Sequence, residues 1–255
     1  MSRGVLAVAV VAGTLALGAV AAWLVVFRDT AEPASVDEAV TTFREETQAG
    51  ARTPSRVPEG VYVYRTHGFE KTDALTGVTH RYPARSTITV TGDPCGFRLR
   101  WDVLEGRSTT WTVCVGPGRW TLASQDERHT FFGRTERTTY TCSDTPFRPA
   151  GDEPEAPFGV ACSTGSADER GPGRVVARET LRIGGRRVET VHVRRRTSLT
   201  GSIRGRSTQD AWLARESGVP VRLDLTTDTT NDSAVGDVHY EEDVSLRLES
   251  LAPRR

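Results

Sequence analysis

Lysine is almost missing from this chain of 255 residues: Lys71 is the only one among 33 basic residues, and these are balanced by 33 acidic ones. With zero formal net charge there is no basic surface of the kind that nucleic acid requires. The four cysteines include no Cys-x-x-Cys pair, and the five histidines (His67, His80, His129, His192 and His239) sit in separate segments without a His-x-His or His-Glu-x-x-His motif. The usual spacings of zinc sites and thioredoxin-like redox centres are therefore absent. There is no Gly-x-Ser-x-Gly elbow, and no glycine-rich loop follows a strand and opens a helix, so neither an activated serine nor a phosphate cradle is indicated. Ser163 has no base or acid beside it in sequence. The reading is a non-enzymatic protein with no catalytic residue, no metal and no cofactor.

One long apolar run is present. Val5–Phe27 contains 23 residues without a charge. As a helix it would extend about 35 Å against a hydrocarbon core of about 30 Å. A cleavable signal peptide usually has a shorter core, of about 7–15 residues. Cutting after Ala19-Val20-Ala21 would leave an apolar new terminus, Ala22–Phe27. The unbroken run, with Trp23 near its end as an interfacial anchor, favours an uncleaved single-pass signal-anchor. Arg3 and the α-amino group precede it, while Arg28 and Asp29 cancel after it, which points the N-terminus to the cytoplasm and the C-terminal domain outward. The organisation is a cytoplasmic stub (1–4), a transmembrane helix (5–27), a stalk with a short helix (28–57) and an extracytoplasmic β-rich domain (58–255).

An even cysteine count agrees with an oxidising compartment. Cys95, Cys114, Cys142 and Cys162 are read as two disulfides, with all three connectivities open. Cys95 and Cys114 are symmetric about Leu104–Glu105. Yet a register that places Trp111 and Val113 on the face of Phe97, Leu99 and Trp101 turns Cys114 away.

Along the domain, Ser35-Val36-Asp37-Glu38 forms a capping box, and Ala39, Val40 and Phe43 follow at helical spacing to about Gln48. From Gly60 the period changes to two. Strands are expected at Val61–Arg65, Arg85–Thr91, Phe97–Val103 and Thr109–Val115, with one or two more in Arg128–Cys142. Asp144–Asp168, rich in Pro, Gly, Ser and acid, reads as a long loop. Arg174–Ile183 and Arg186–Arg195 flank a Gly184-Gly185 hairpin turn, and Thr208–Leu213 and Val219–Leu225 flank Glu216-Ser217-Gly218. Thr226–Ser233 reads as a tip loop and His239–Asp243 as a solvated acidic turn. Val244–Glu249 closes the sheet, and the acids of Asp224–Asp243 offset the arginines of Arg174–Arg206. The class is mainly β (α+β): eight to ten antiparallel strands in a curved sheet or half-barrel, its buried face covered by the helix.

The Trp212-Leu213 … Gly218-Val219-Pro220-Val221-Arg222 segment resembles the strand–turn–strand of LolA-like half-barrels and the related mycobacterial lipoprotein carriers. The chain as a whole resembles actinobacterial single-pass membrane proteins, in keeping with its arginine-rich composition. The resemblance implies a strongly curved sheet with helices inside the curve and an apolar ligand between them. Trp101, Trp111 and Trp212 are the candidate pocket residues. The expected function is a membrane-anchored module that holds or senses an apolar or lipid-like envelope molecule. The alternative is an envelope structural or interaction domain with a protein partner. A continuous cavity favours the first, a filled core with an exposed apolar patch the second.

Overall fold

The computed structural model describes residues 31–48, 57–75, 77–149, 157–233 and 236–255. The Val5–Phe27 segment and its orientation lie outside them. Among the described residues no helix is long and apolar enough to cross a membrane.

The capping box forms as its residues dictate. Helix α1 spans Val36–Gln48, and the Ser35 hydroxyl accepts the Glu38 amide proton at 3.3 Å. Asp37 and Glu38 lie in its first turn, where the helix dipole favours anions. The remaining elements are strands: β1 (Gly60–Thr72), β2 (Val78–Arg81), β3 (Arg85–Asp93), β4 (Gly96–Leu104), β5 (Arg107–Val115), β6 (Trp120–Phe131), β7 (Arg134–Arg148), β8 (Pro157–Ser163), β9 (Ala167–Ile183), β10 (Arg186–Gly201), β11 (Ile203–Ala214), β12 (Pro220–Ser233) and β13 (Gly236–Leu248).

β1 pairs antiparallel with both β2 and β3, each strand from β3 onward pairs antiparallel with the next, and β13 returns to pair with β1 from Tyr64↔Leu248 to Thr72↔Tyr240. The expected half-barrel is therefore a closed barrel. Strands β2 and β3 lie end to end along one edge of β1. The Tyr82 amide donates to Gly68 O and the Thr66 amide to Ala84 O, both at 3.0 Å, so the ladder runs past Pro83, which has no amide to give. The two pieces make one wall member, and the barrel has twelve.

Closure settles where the apolar side of the alternation goes. Tyr62 pairs with Ile88, Ile88 with Trp101, Leu99 with Trp111, and Ala211 with Leu223, all facing inward. Arg98, Arg100 and Asp102 alternate with them and face out. This is the reverse of a membrane-spanning barrel, which needs an apolar outer band. Helix α1 is on the outside too: Val40 and Phe43 pack on Val61, the outward neighbour of Tyr62. The barrel's own opposite wall, not the helix, covers the apolar face.

Two further expectations are corrected. Asp144–Asp168 is largely strand: β7 runs to Arg148, β8 starts at Pro157 and β9 at Ala167. Thr226–Ser233 belongs to β12, paired with β13 out to Ser233↔Gly236, and His239–Asp243 lies within β13. Thr226–Ser233 borders a polar mouth, so its pairing comes from backbone ladders on both sides without apolar alternation to announce it. In the other stretch Phe147, Val160 and Cys162 do alternate inward, but they are set among Pro, Gly and acidic residues that hide the pattern. The Gly184-Gly185 turn is as expected, with φ of 55° and 82°, the positive values that a two-residue hairpin turn requires.

The disulfides are Cys95–Cys114 and Cys142–Cys162. Cys95 occupies the β3–β4 turn, outside the strand alternation, which frees it to meet Cys114 on the outward face. Cys142 and Cys162 are directly opposed across β7 and β8.

Curling the strands into a closed wall brings backbones close. A Cβ on Gly205, whose φ is +147°, would lie 2.1 Å from the Asp228 carbonyl oxygen, in backbone that cannot yield. Gly205→Ala is expected to cost about 3 kcal/mol, at the upper end of overpacking effects, read as a lowered midpoint in urea unfolding. An unchanged midpoint would mean that β11 is not held this tightly to β12.

Candidate ligand-binding lumen

Two connected chambers occupy the barrel. The deeper, of about 100 Å³, is walled by Ile88, Leu99, Trp111, Leu122, Phe147 and Leu223 among others. The upper, of about 580 Å³, is bordered by Leu75, Phe131, Phe132, Leu199, Ile203 and Val238 together with Thr and acidic side chains. Gln125, Glu127, Glu169, Ser207, Thr227 and Tyr240 line both and form a polar waist between them. The deep end is closed by buried Val57 and by Tyr62 and Tyr64, whose hydroxyls donate to Pro58 O at 2.7 Å and Pro220 O at 2.6 Å. The upper end opens among the β1–β2, β6–β7 and β12–β13 connections.

A charged cluster is built into the wall beside the waist. Inward positions of β1 and β13 place Glu70 directly opposite Glu242, two buried carboxylates facing each other. Arg107, from the start of β5, is also buried and lies between them: Nη2 donates to both Glu242 oxygens at 3.1 and 3.0 Å, and Nε lies 3.7 Å from Glu70 Oε2. Its Nη1 donates to Ser108 O at 3.0 Å and Thr109 Oγ1 at 2.6 Å, and the guanidinium stacks 5.2 Å from the Trp101 ring. Glu70 also binds His80 Nδ1 at 3.0 Å and His129 Nδ1 at 3.2 Å, and the Tyr240 hydroxyl donates to it at 3.3 Å. The Tyr82 hydroxyl donates to Glu242.

These contacts set the charge states. Burial alone would raise the Glu70 carboxyl, but hydrogen bonds from His129 and His80 and the nearby Arg107 charge outweigh it and hold it at about 2. Glu127 is held at about 2 in the same way, against its burial, chiefly by the His129 hydrogen bond and the Arg107 charge. Burial and Arg107 push His129 down, yet its hydrogen bonds to Glu127 and Glu70 win and raise it. On the other side of the waist, burial lowers Arg195 to about 10 despite Glu169, and Glu169 is raised by its own burial. The terminal nitrogens of Arg195 donate to Gln209 and to the carbonyls of Pro146 and Phe147, while its buried Nε has no partner among the described residues.

The three candidate tryptophans separate. Trp111 lines the lumen, its Nε1 donating to Gln125 at 2.9 Å. Trp101 is buried in the wall, donating to Ser86 at 3.0 Å. Trp212 faces outward, between inward Ala211 and Leu213. It is sandwiched by His192 and the Arg222 guanidinium, each 4.0 Å away, and capped by Glu179 at 3.2 Å. The histidine that reads as a lone strand residue is thus part of an outer-wall stack. His239 pairs with Asp228 at 2.8 Å, and Arg204 pairs with Asp232 and Asp237, the expected cross-strand offset of arginines by acids. Glu241 meets Lys71 at 3.6 Å, and the histidines that do converge meet at Glu70. Among the described residues no three His, Cys, Asp or Glu side chains form a group that could hold a metal ion.

Fold and lumen together define a closed antiparallel barrel with an amphipathic lumen open at one end. The chain matches no known protein-family model, no curated protein and no solved structure. The Trp212–Arg222 segment forms the β11–β12 hairpin, among the described residues no helix lies inside the barrel, and nothing ties the chain to LolA-like carriers.

Arg107→Leu leaves the buried Glu242 without its cation and directly facing Glu70. It should destabilise the barrel by about 3–5 kcal/mol in urea unfolding, and the double variant with Glu242→Leu should recover part of that loss. A double-variant loss equal to the sum of the Arg107→Leu and Glu242→Leu single losses would show that the pair is not coupled. The pH dependence follows the same groups. Glu70 is lower when folded than its ordinary 4.5, so its contribution, on the order of 3 kcal/mol, is full above pH 4.5 and lost as pH falls toward 2. His129 is raised, so its contribution is full below its ordinary 6.5 and lost as pH climbs through the raised value. Denaturation midpoints against pH should fall on both sides. A flat acid limb would contradict the Glu70 assignment.

Proposed function

We propose that the barrel is a membrane-anchored extracytoplasmic binding module that holds one amphipathic, lipid-like molecule in its lumen. The observation that supports this reading is the adjacency of the two chambers, which share lining side chains: a deep end with apolar walls and a few buried polar groups, a polar waist and an open mouth. A chain of carbon atoms fits the deep walls, where removing apolar surface from water is the driving force. A polar group on the same molecule fits the waist and the deep-chamber Arg195 next to it, whose buried Nε has no acceptor among the described residues. The anchoring part of the reading rests on the Val5–Phe27 run, and the outward location on the two disulfides. Zero net charge and mixed-sign surface pairs favour neither nucleic acid nor an acidic partner.

The test uses a chain that begins at residue 31, because β1 and β13 close the barrel without help from earlier residues. A fluorescent fatty-acyl probe should bind it with a saturable signal. Ala211→Phe, which fills the deep chamber from its wall, should weaken binding at least about tenfold with an unchanged circular dichroism spectrum. Probe binding unaffected by Ala211→Phe, or no binding at all, would argue for the alternative, an envelope interaction domain whose barrel is only a scaffold.

A further inference from the structure

The described chain begins at the mouth end of the barrel. Ala31 packs at the edge of the core, the Glu105 amide donates to Glu32 O at 2.9 Å, and Pro33 bridges to Leu104. Ala31 and Glu32 share a surface cleft with Thr130 and Thr135. Those threonines are paired two positions from the Phe132-Gly133 tip of the β6–β7 hairpin, which borders the mouth. Only residues 28–30 separate Ala31 from Phe27, the last residue of the apolar run, so the two are at most about 14 Å apart along an extended chain. Such a short tether cannot carry the run to the far end of a barrel built from strands as long as 17 residues.

The rim is suited to what that tether would bring near. Leu75, at 59 % exposure, is the only exposed large hydrophobic side chain among the described residues, and it stands in the β1–β2 connection beside the mouth. Leu75 and Phe132 both have left-handed backbone, with φ of 58° and 52°, positions where turn stereochemistry favours Gly or Asn and where a bulky apolar side chain carries a cost. The β11–β12 turn at the closed end instead presents exposed Arg215 and Glu216. Rim charges are of both signs, with Arg134, Glu136, Arg204 and Asp232 around the opening, so attraction to anionic headgroups is not the basis of contact.

We infer that the open end of the barrel rests on the bilayer that carries the chain's own N-terminal segment, with exposed Leu75 dipping into its surface and half-buried Phe132 beside it at the rim. The lumen then loads and unloads directly from that membrane and its ligand never crosses water. This rests on the anchoring proposed above. The occupant of the rim is a lipid surface, held by apolar insertion of a few side chains.

The full chain, reconstituted into phosphatidylcholine vesicles, tests it. Leu75→Cys at the rim and Glu216→Cys at the closed end are each labelled with an environment-sensitive fluorophore, the four native cysteines being paired. The label at position 75 should shift to the blue and be quenched by lipid carrying a shallow nitroxide, about threefold more strongly than the label at 216, with little dependence on salt. If the chain floats with the vesicles but both labels report water, or 216 is the one quenched, the rim contact is wrong while the anchor stands. If the chain does not float with the vesicles, the anchor is wrong, and the rim contact falls with it.

Discussion

The barrel is closed by a seam that would repel itself without one arginine. First and last strands meet at β1–β13, and their register sets Glu70 against Glu242 in a buried wall. Like charges directly opposed across a ladder are destabilising, and more so away from water. Arg107 arrives from β5, contacts both carboxylates, and is itself satisfied by Thr109 and a backbone carbonyl. Closure therefore draws on a residue from outside the seam. The short β4–β5 hairpin, which begins β5 at Arg107 well below the rim, is what delivers it.

Closure in turn produces the lumen. Twelve strands enclose more width than side chains alone fill, so the inward Trp111, Leu122 and Leu223 wall a chamber and do not interlock across it. The closed end is sealed by Val57 and two tyrosines whose hydroxyls find carbonyl acceptors. Among the described residues the other end has no such plug. The polar groups at and below its waist are expensive to bury: Glu127, Glu169 and Arg195 are all opposed by desolvation, and Arg195 Nε has no acceptor among the described residues. Features of that kind are easier to understand at a binding site than in a packed core.

Much of this was legible where the signal is local. The Ser35 cap, the Gly184-Gly185 turn and the Phe97–Val103 alternation each depend on a handful of adjacent residues, and each forms as read. Strand parity also carried unused information. In Val238–Leu248, Glu242 shares its face with Tyr240, Val244 and Leu246, which marks it as inward, although an acidic run reads more naturally as a solvated turn. Trp212 lies out of phase with Ala211 and Leu213 and so could not face the same chamber. What no local pattern contains is closure. Pairing of residues 64–72 with 240–248 joins the two ends of the domain, and Glu70, His80, Arg107, His129 and Glu242 meet only because of it. Thr226–Ser233 escaped detection because a strand that borders a polar mouth need not alternate, and in Asp144–Asp168 the inward Phe147, Val160 and Cys162 are set among Pro, Gly and acidic residues.

The central claim is that the lumen is a container. Native mass spectrometry of the barrel, purified gently from an oxidising compartment and never exposed to organic solvent, addresses it most directly. The account predicts a discrete adduct at one per chain that disappears on organic extraction and whose mass is that of a single lipid-like molecule. A clean apo mass from the same material, unchanged after incubation with membrane lipid extract, would contradict it.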